Sequence, residues 1–222
     1  VIVLVKSYNT SSLRDLPSCP VLTLQNGLGN AEKPTNLIGS NKILAGATYE
    51  AAYLVDVNRV IHTAAGLTRF GAWTTCSTEY AERVLKQAGF SVEITEAPGQ
   101  TIWEKAIVNS GINPITALLN IPNGGILDIP EARSLMRDLV VEAVKVATSE
   151  GYKFPYSMIE RTEEICRLTR DNFSSMLQDL RTGRKTEIDA ICGEILERAQ
   201  IAGVPTPRMR VVWQLIKAIE QK

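Results

Sequence analysis

Four things this 222-residue sequence lacks narrow what it can be. It has no charge excess, since 24 Lys and Arg face 24 Asp and Glu. A nucleic-acid footprint or a membrane-surface site needs a positive surplus, so neither partner is expected. It has one histidine, His62, set in the strand-like run Val60-Ile61-His62-Thr63. A single imidazole argues against a Ser-His-Asp triad and against a histidine-rich metal site, and no metal is expected. Its cysteines, Cys19, Cys76, Cys166 and Cys192, form no C-x-x-C pair. That scatter suits reduced thiols in a cytosolic protein better than a disulfide frame or a zinc site. No apolar run approaches the length of a membrane span, and no signal peptide is visible. The expected class is a soluble, cytoplasmic, globular protein.

What is present centres on Thr101–Leu118. Thr101 and Glu104 have the T-x-x-E spacing of a capping box, so a helix is expected to start there. Wound as a helix, the segment stacks Lys105, Asn109 and Asn113 at i, i+4 and i+8 on one face. Trp103, Ala106, Ile107, Val108, Ile112 and Ile115 make most of the remaining surface apolar, which predicts a buried helix. Burying an ammonium and two amides without partners costs several kcal/mol each. The stripe therefore faces other protein groups or a polar ligand.

The rest of the chain divides in two. Val1–Val5 reads as an interior strand of a parallel sheet, apolar on both faces, with sequence expected to precede it. As an exposed edge, the same run would invite strand pairing. Ser7–Asp15 reads as a short helix or loop, and Val21–Leu24 as a second strand. That strand runs into Gln25-Asn26-Gly27-Leu28-Gly29, whose glycines would let a ligand approach the backbone at a sheet edge. A helix is expected over residues 31–38, then short strands over 42–71 whose brief links imply antiparallel neighbours. Residues 78–89 form an amphipathic helix closed by Gly89, and Phe90–Ile94 one more strand. Ala97-Pro98-Gly99-Gln100 reads as a break, placing the boundary between residues 1–98 and 99–222. Beyond it everything is helical in character, with Pro114 expected to bend the striped helix.

Taken in order, three site motifs resemble the ketopantoate reductase family. They are Gln25-Asn26-Gly27-x-Gly29, then Lys105-x3-Asn109-x3-Asn113-Pro114, then Asn172-x-Ser174-Ser175-Met176-x-x-Asp179 running on to Lys185-Thr186-Glu187-Ile188-Asp189. Ile121-Pro122-Asn123-Gly124 and Gly203-Val204-Pro205-Thr206-Pro207 also look like that family. The resemblance spans essentially the whole chain. It implies an α/β Rossmann-type NADP-binding domain over 1–98. An all-helical domain resembling the 6-phosphogluconate dehydrogenase C-terminal domain follows over 99–222, with the active site between the two. It also implies a possible homodimer and an NADPH-dependent reduction of the 2-oxo acid ketopantoate, on the route to pantothenate and coenzyme A. In that reading Lys105 is the catalytic lysine, Asn109 and Asn113 bind substrate oxygens, and Ser175 binds the substrate carboxylate. Asn26 touches substrate and cofactor, Lys6 lies near the cofactor, and Glu187 assists catalysis or holds cofactor or substrate.

The departure is the missing G-x-G-x-x-G turn, by which this fold grips a dinucleotide pyrophosphate. Gly27-x-Gly29 does not replace it, because no third glycine follows at the right place. The sheet is accordingly expected to be partial, without its first strands and its phosphate turn. Two other readings stay open. One is a non-catalytic binding or interaction module that keeps the substrate pocket. The other is a related dehydrogenase for another small 2-oxo or 3-hydroxy acid.

Overall fold

The computed structural model describes residues 1–13, 19–32 and 42–221. It falls into two compact units, Val1–Ile102 and Trp103–Lys222. The first contains strands β1 (Ile2–Val3), β2 (Val21–Thr23), β3 (Ile43–Thr48), β4 (Ala51–Asp56), β5 (Arg59–Ala64), β6 (Thr68–Ala72) and β7 (Val92–Ile94), with helix α1 (Glu79–Gln87) before β7. Its main sheet has the order β1-β2-β3-β6-β7, with β1, β2 and β3 mutually parallel and β6 antiparallel to β3. Period-2 alternation sends Leu22 and Leu44 to a core with Phe70 and Leu85, and Val21 and Ile43 to a second cluster with Val3. The sheet is thus apolar on both faces, as parallel strands require. Strands β4 and β5 form a separate antiparallel hairpin. In its turn the Asp56 carboxylate accepts from the Asn58 N–H at 3.1 Å.

One expectation in this unit is corrected and another holds with a different strand order. The first run forms a two-residue strand, Ile2–Val3, and not one of five residues, with Val1, Ile2, Leu4 and Val5 exposed. Its only described ladder partner is β2, so one side of the strand carries no pairing among the described residues. The antiparallel neighbours expected over 42–71 are present, as β4 with β5 and β3 with β6. Strand β3 skips the hairpin and pairs with β6, in register from Leu44–Ala72 to Thr48–Thr68. The helix expected over 31–38 falls mostly outside the described residues.

The second unit is helical throughout: the body of α2 (Pro98–Leu119), then α3 (Gly125–Asp128), α4 (Pro130–Ser149), α5 (Met158–Leu168), α6 (Ser175–Arg181), a π-helical turn (Asp189–Gly193) leading into α7 (Glu194–Ala202), and α8 (Pro207–Ile219). Helix α4 is the hub, packing against α5, α7 and α8 and burying Met136, Leu139, Val140, Ala143 and Val146. Buried Glu142 on α4 accepts from the Arg208 and Met209 N–H groups at 2.9 and 2.8 Å, so a carboxylate caps α8. Buried Glu163 on α5 takes Arg133, Arg137 and Arg167, and the Arg133 hydrogen bonds lead in holding its carboxyl below the usual range.

The capping-box expectation is also corrected. Helix α2 begins at Pro98, so Thr101 lies within its first turn and Pro98-Gly99-Gln100 is helical. Proline at a helix start sacrifices no hydrogen bond, because the first N–H groups have no helical acceptor. The Thr95 hydroxyl accepts from the Ala97 N–H at 3.1 Å just ahead of it. The helix then packs closely on α4 at Gly111, where an added Cβ would stand 2.9 Å from Val140 Cγ2 and 3.4 Å from Met136 Cγ. Gly111→Val is therefore expected to lower stability by about 1–3 kcal/mol, the range for overfilling a packed core, as read from urea unfolding.

Candidate active site

Helix α2 runs unbroken through Lys105, Asn109 and Asn113, so the three side chains do share one face. The file deepens along the helix: Lys105 and Asn109 are half-buried and Asn113 is buried. Trp103, Ala106, Ile107, Val108, Ile112 and Ile115 are all buried around it. Pro114 withholds the donor that the Ser110 carbonyl would otherwise take. Two residues later the Thr116 hydroxyl lies 3.1 Å from the Ile112 carbonyl and 3.0 Å from the Asn113 carbonyl.

The same hydroxyl stands 2.7 Å from Ser174 Oγ, which ties the start of α6 to α2 one turn past Asn113. Ser174 is the cap of α6, its Oγ accepting from the Leu177 N–H at 3.1 Å. Capping therefore falls to Ser174, and its neighbour Ser175 opens the helix with an exposed side chain. A hydroxyl at a helix N-terminus sits where unpaired backbone N–H groups favour an anion.

Glu187 precedes the π-helical turn and is buried. It lies near enough to Lys105 for its charge to act on the ammonium. Burial pushes the Lys105 pKa down from 10.5 to about 8, and the Glu187 carboxylate opposes that fall. Lys105, Asn109, Asn113, Ser175 and Glu187 thus all belong to the second unit, with Glu187 at the lysine end of the file and Ser175 near its asparagine end.

Asn26 and Lys6 belong to the first unit. Asn26 follows β2, where Gly27 and Gly29 adopt φ of 85° and 76°, a region that side chains disfavour. Buried Gln25 holds this loop, its Nε2 donating to the Val5 carbonyl at 2.7 Å and to Thr10 Oγ1 at 2.8 Å. Lys6, half-buried, caps the short turn Ser7–Ser12. Asn30 is the residue that sequence reasoning missed here. Its Nδ2 donates to the Asn26 carbonyl at 2.7 Å, while its buried Oδ1 has no hydrogen-bond partner among the described residues. Only the folded loop reveals that orphan, since Asn30 lies outside the Asn-Gly-x-Gly pattern. His62 is not part of either group: its Nε2 sits 2.6 Å from Glu50 Oε2 on the exposed hairpin. Among the described residues no His, Cys, Asp and Glu cluster suits a metal.

Residues 1–75 match the sequence profile described as ketopantoate reductase PanE/ApbA, and residues 99–220 match its C-terminal counterpart. The chain belongs to the ketopantoate reductase family. The 2-dehydropantoate 2-reductase of Halobacterium salinarum is 33% identical, the alignment covering 100% of this chain and 76% of that protein. The Pyrococcus horikoshii 2-dehydropantoate 2-reductase is 37% identical over 99% of this chain and 75% of its own length. Among solved structures, a PanE/ApbA family ketopantoate reductase from Ralstonia eutropha superposes with a TM-score of 0.90 at 29% identity, covering 99% of this chain and 75% of that one. D-mandelate dehydrogenase in complex with NADH gives 0.91 at 25% identity, with 99% and 78% covered. A dimeric ketopantoate reductase from Staphylococcus aureus gives 0.85 at 25%, with 99% and 77% covered. The α/β unit followed by a helical unit is the family's architecture, with the first three described strands parallel as in a Rossmann-type sheet.

Proposed function

We propose that this chain reduces the C2 ketone of 2-dehydropantoate (ketopantoate) to the alcohol of pantoate, using NADPH, and so feeds pantothenate and coenzyme A synthesis. The observation that carries the reading is the Lys105–Asn109–Asn113 file with Glu187 at its lysine, in a chain whose two segments both match the family. A nicotinamide cofactor suits the end of β2, where two glycines admit a ligand to the backbone and Asn30 Oδ1 lacks a partner among the described residues. Asn26 and Lys6 would hold its nicotinamide end. A G-x-G-x-x-G pyrophosphate cradle is absent from the sequence, so these residues fit one end of the cofactor only.

When bound, the reduced nicotinamide supplies the hydride that adds to the ketone carbon. The chain's own part is to place that ketone and to manage the charge that appears on its oxygen. Lys105 Nζ donates a proton to the oxygen as it becomes an alkoxide. The Asn109 and Asn113 amides hold the substrate hydroxyl and carbonyl oxygens. Ser175 and the start of α6 receive the carboxylate. Glu187 keeps an acceptor beside the lysine and the hydroxylated ligand. A lysine at about pKa 8 is a far stronger acid than one at 10.5, yet at pH 7 it remains protonated about ten to one.

That value sets a pH dependence. The acid must carry its proton, so kcat/KM is expected to be flat through neutrality and to fall as pH rises past about 8. A profile still level at pH 10 would remove Lys105 from the acid's role. A homodimer and a cytoplasmic location complete the proposal. Among the described residues no helix is long and apolar enough to cross a membrane, and the four cysteines are free thiols. Steady-state assay against ketopantoate and a panel of other 2-oxo acids tests the substrate. Preference for another acid by more than tenfold in kcat/KM would make this a related dehydrogenase instead.

A further inference from the structure

Glu187 lies in a segment held from both sides by one helix. On its N-terminal side, Glu220 just past α8 accepts from the Thr186 N–H at 2.8 Å and from the Thr186 hydroxyl at 2.7 Å. On its C-terminal side, Asp189 Oδ1 accepts from Trp213 Nε1 at 3.0 Å and Oδ2 from Lys217 Nζ at 2.9 Å, both donors standing on α8. Lys217 also reaches Glu220 at 3.2 Å, closing the two anchors into one network. From the second anchor onward, over Asp189–Gly193, the backbone makes the π-helical turn, with the Glu194 N–H bonded to the Asp189 carbonyl. Such turns interrupt a helix at a cost and recur at functional sites.

We propose that α8 is a positioning device: Glu220 through Thr186, and Lys217 with Trp213 through Asp189, hold the Glu187 carboxylate against Lys105. The proposal deepens the reductase reading and rests on it for its catalytic consequence, while its geometry stands by itself. None of Thr186, Asp189, Trp213, Lys217 or Glu220 is assigned a contact with substrate; they act through Glu187. The charged groups of this network are Lys105 from α2, on which Glu187 acts, Lys185 and Lys217, which act on Asp189, and Glu220, which pairs with Lys217. Burial alone would raise the Asp189 carboxyl, but hydrogen bonds from Lys217 and Trp213 hold it below its usual value, so this anchor stays ionised at neutral pH. Burial alone would lower the Lys217 pKa, but its hydrogen bonds to Asp189 and Glu220 raise it above its usual value, so it remains a cation at neutral pH.

The test reads Lys105 directly, without relying on turnover. The rate of Lys105 acetylation by acetic anhydride is followed against pH, with the modified peptide quantified by mass spectrometry. Four forms are compared: wild type, Glu187→Gln, Glu220→Ala and the double variant. Glu187 raises the lysine's pKa, so Glu187→Gln moves the labelling midpoint to lower pH, and Glu220→Ala moves it the same way by less. In the double variant Glu220→Ala adds nothing, because its effect passes through Glu187. Glu220→Gln, which keeps the acceptor for Thr186, restores the wild-type midpoint. An unmoved midpoint in folded Glu220→Ala, or an equal shift from it in the Glu187→Gln background, would overturn the proposal. Should the labelling results hold while ketopantoate turnover is absent, the positioning device stands and the reductase reading fails.

Discussion

Replacing Lys105 with methionine is expected to lower kcat for ketopantoate reduction by about 10³-fold, the combined loss of a positioned acid and of a cation at the developing oxyanion. Affinity for NADPH should hardly change, since the proposed cofactor contacts lie at Asn26 and Lys6 in the other unit. The same substitution should make the protein more stable at pH 7. The folded state lowers the Lys105 pKa from 10.5 to about 8, so folding a protonated lysine there costs at most about 3 kcal/mol. The sign fixes the pH window. Below about pH 8 both folded and unfolded chains hold the proton and the full penalty applies, whereas between 8 and 10.5 the folded state sheds it and the penalty fades. Methionine has a similar length and no charge, so its advantage in urea unfolding should be largest at neutral pH and gone near pH 10.5. Such a trade of stability for activity is common where a charge is buried for chemistry. A variant with normal turnover, or one destabilised at pH 7, would contradict this account of Lys105.

Trp103→Ala should be the most destabilising single change in the helical unit, lowering stability by about 3–5 kcal/mol. The indole is 2% exposed, its Nε1 donates to Glu150 at 3.3 Å, and the Tyr152 ring lies 5.9 Å away centroid to centroid. The Arg198 guanidinium stands 5.9 Å over its ring and itself binds Glu150 at 3.1 Å. Removing the ring leaves a cavity and also strips Glu150 and Arg198 of the surface they pack on. Trp103→Phe separates these effects, because it keeps most of the volume and loses the N–H, for about 1 kcal/mol. A loss under about 1 kcal/mol for Trp103→Ala would mean that the site collapses around the gap and the indole is no anchor.

The helical stripe was legible in the sequence because period 3.6 is a local property. Lys105, Asn109 and Asn113 needed only a continuous helix, and the apolar residues around them predicted the burial. Where that helix begins was not legible in the same way. Thr101 and Glu104 satisfied a capping pattern, but Pro98 starts a helix as readily as it stops one, and here it starts α2. The run Val1–Val5 shows the converse limit. Its composition asks for partners on both sides, whereas its two-residue pairing depends on what lies beside it in space.

Long-range polar pairs were the least visible. Nothing in Thr186 or Glu187 announces an anchor 34 residues away at Glu220, nor does Glu142 announce that it caps a helix 66 residues downstream. A π-helical turn leaves no periodic trace either, because one added residue only shifts the phase. Ser174 and Ser175 sit between these cases: adjacent serines in the sequence look alike, and only the fold assigns the helix cap to Ser174.

The central claim is hydride transfer to the ketone carbon of ketopantoate on this protein. It is tested most directly by incubating the protein with ketopantoate and NADPH deuterated at its transferable position, then analysing the product by mass spectrometry and NMR. The account predicts pantoate with a single deuterium at C2, formed in step with NADPH oxidation and almost abolished in Lys105→Met. Pantoate without the label, or no ketopantoate-dependent oxidation at all, would contradict it.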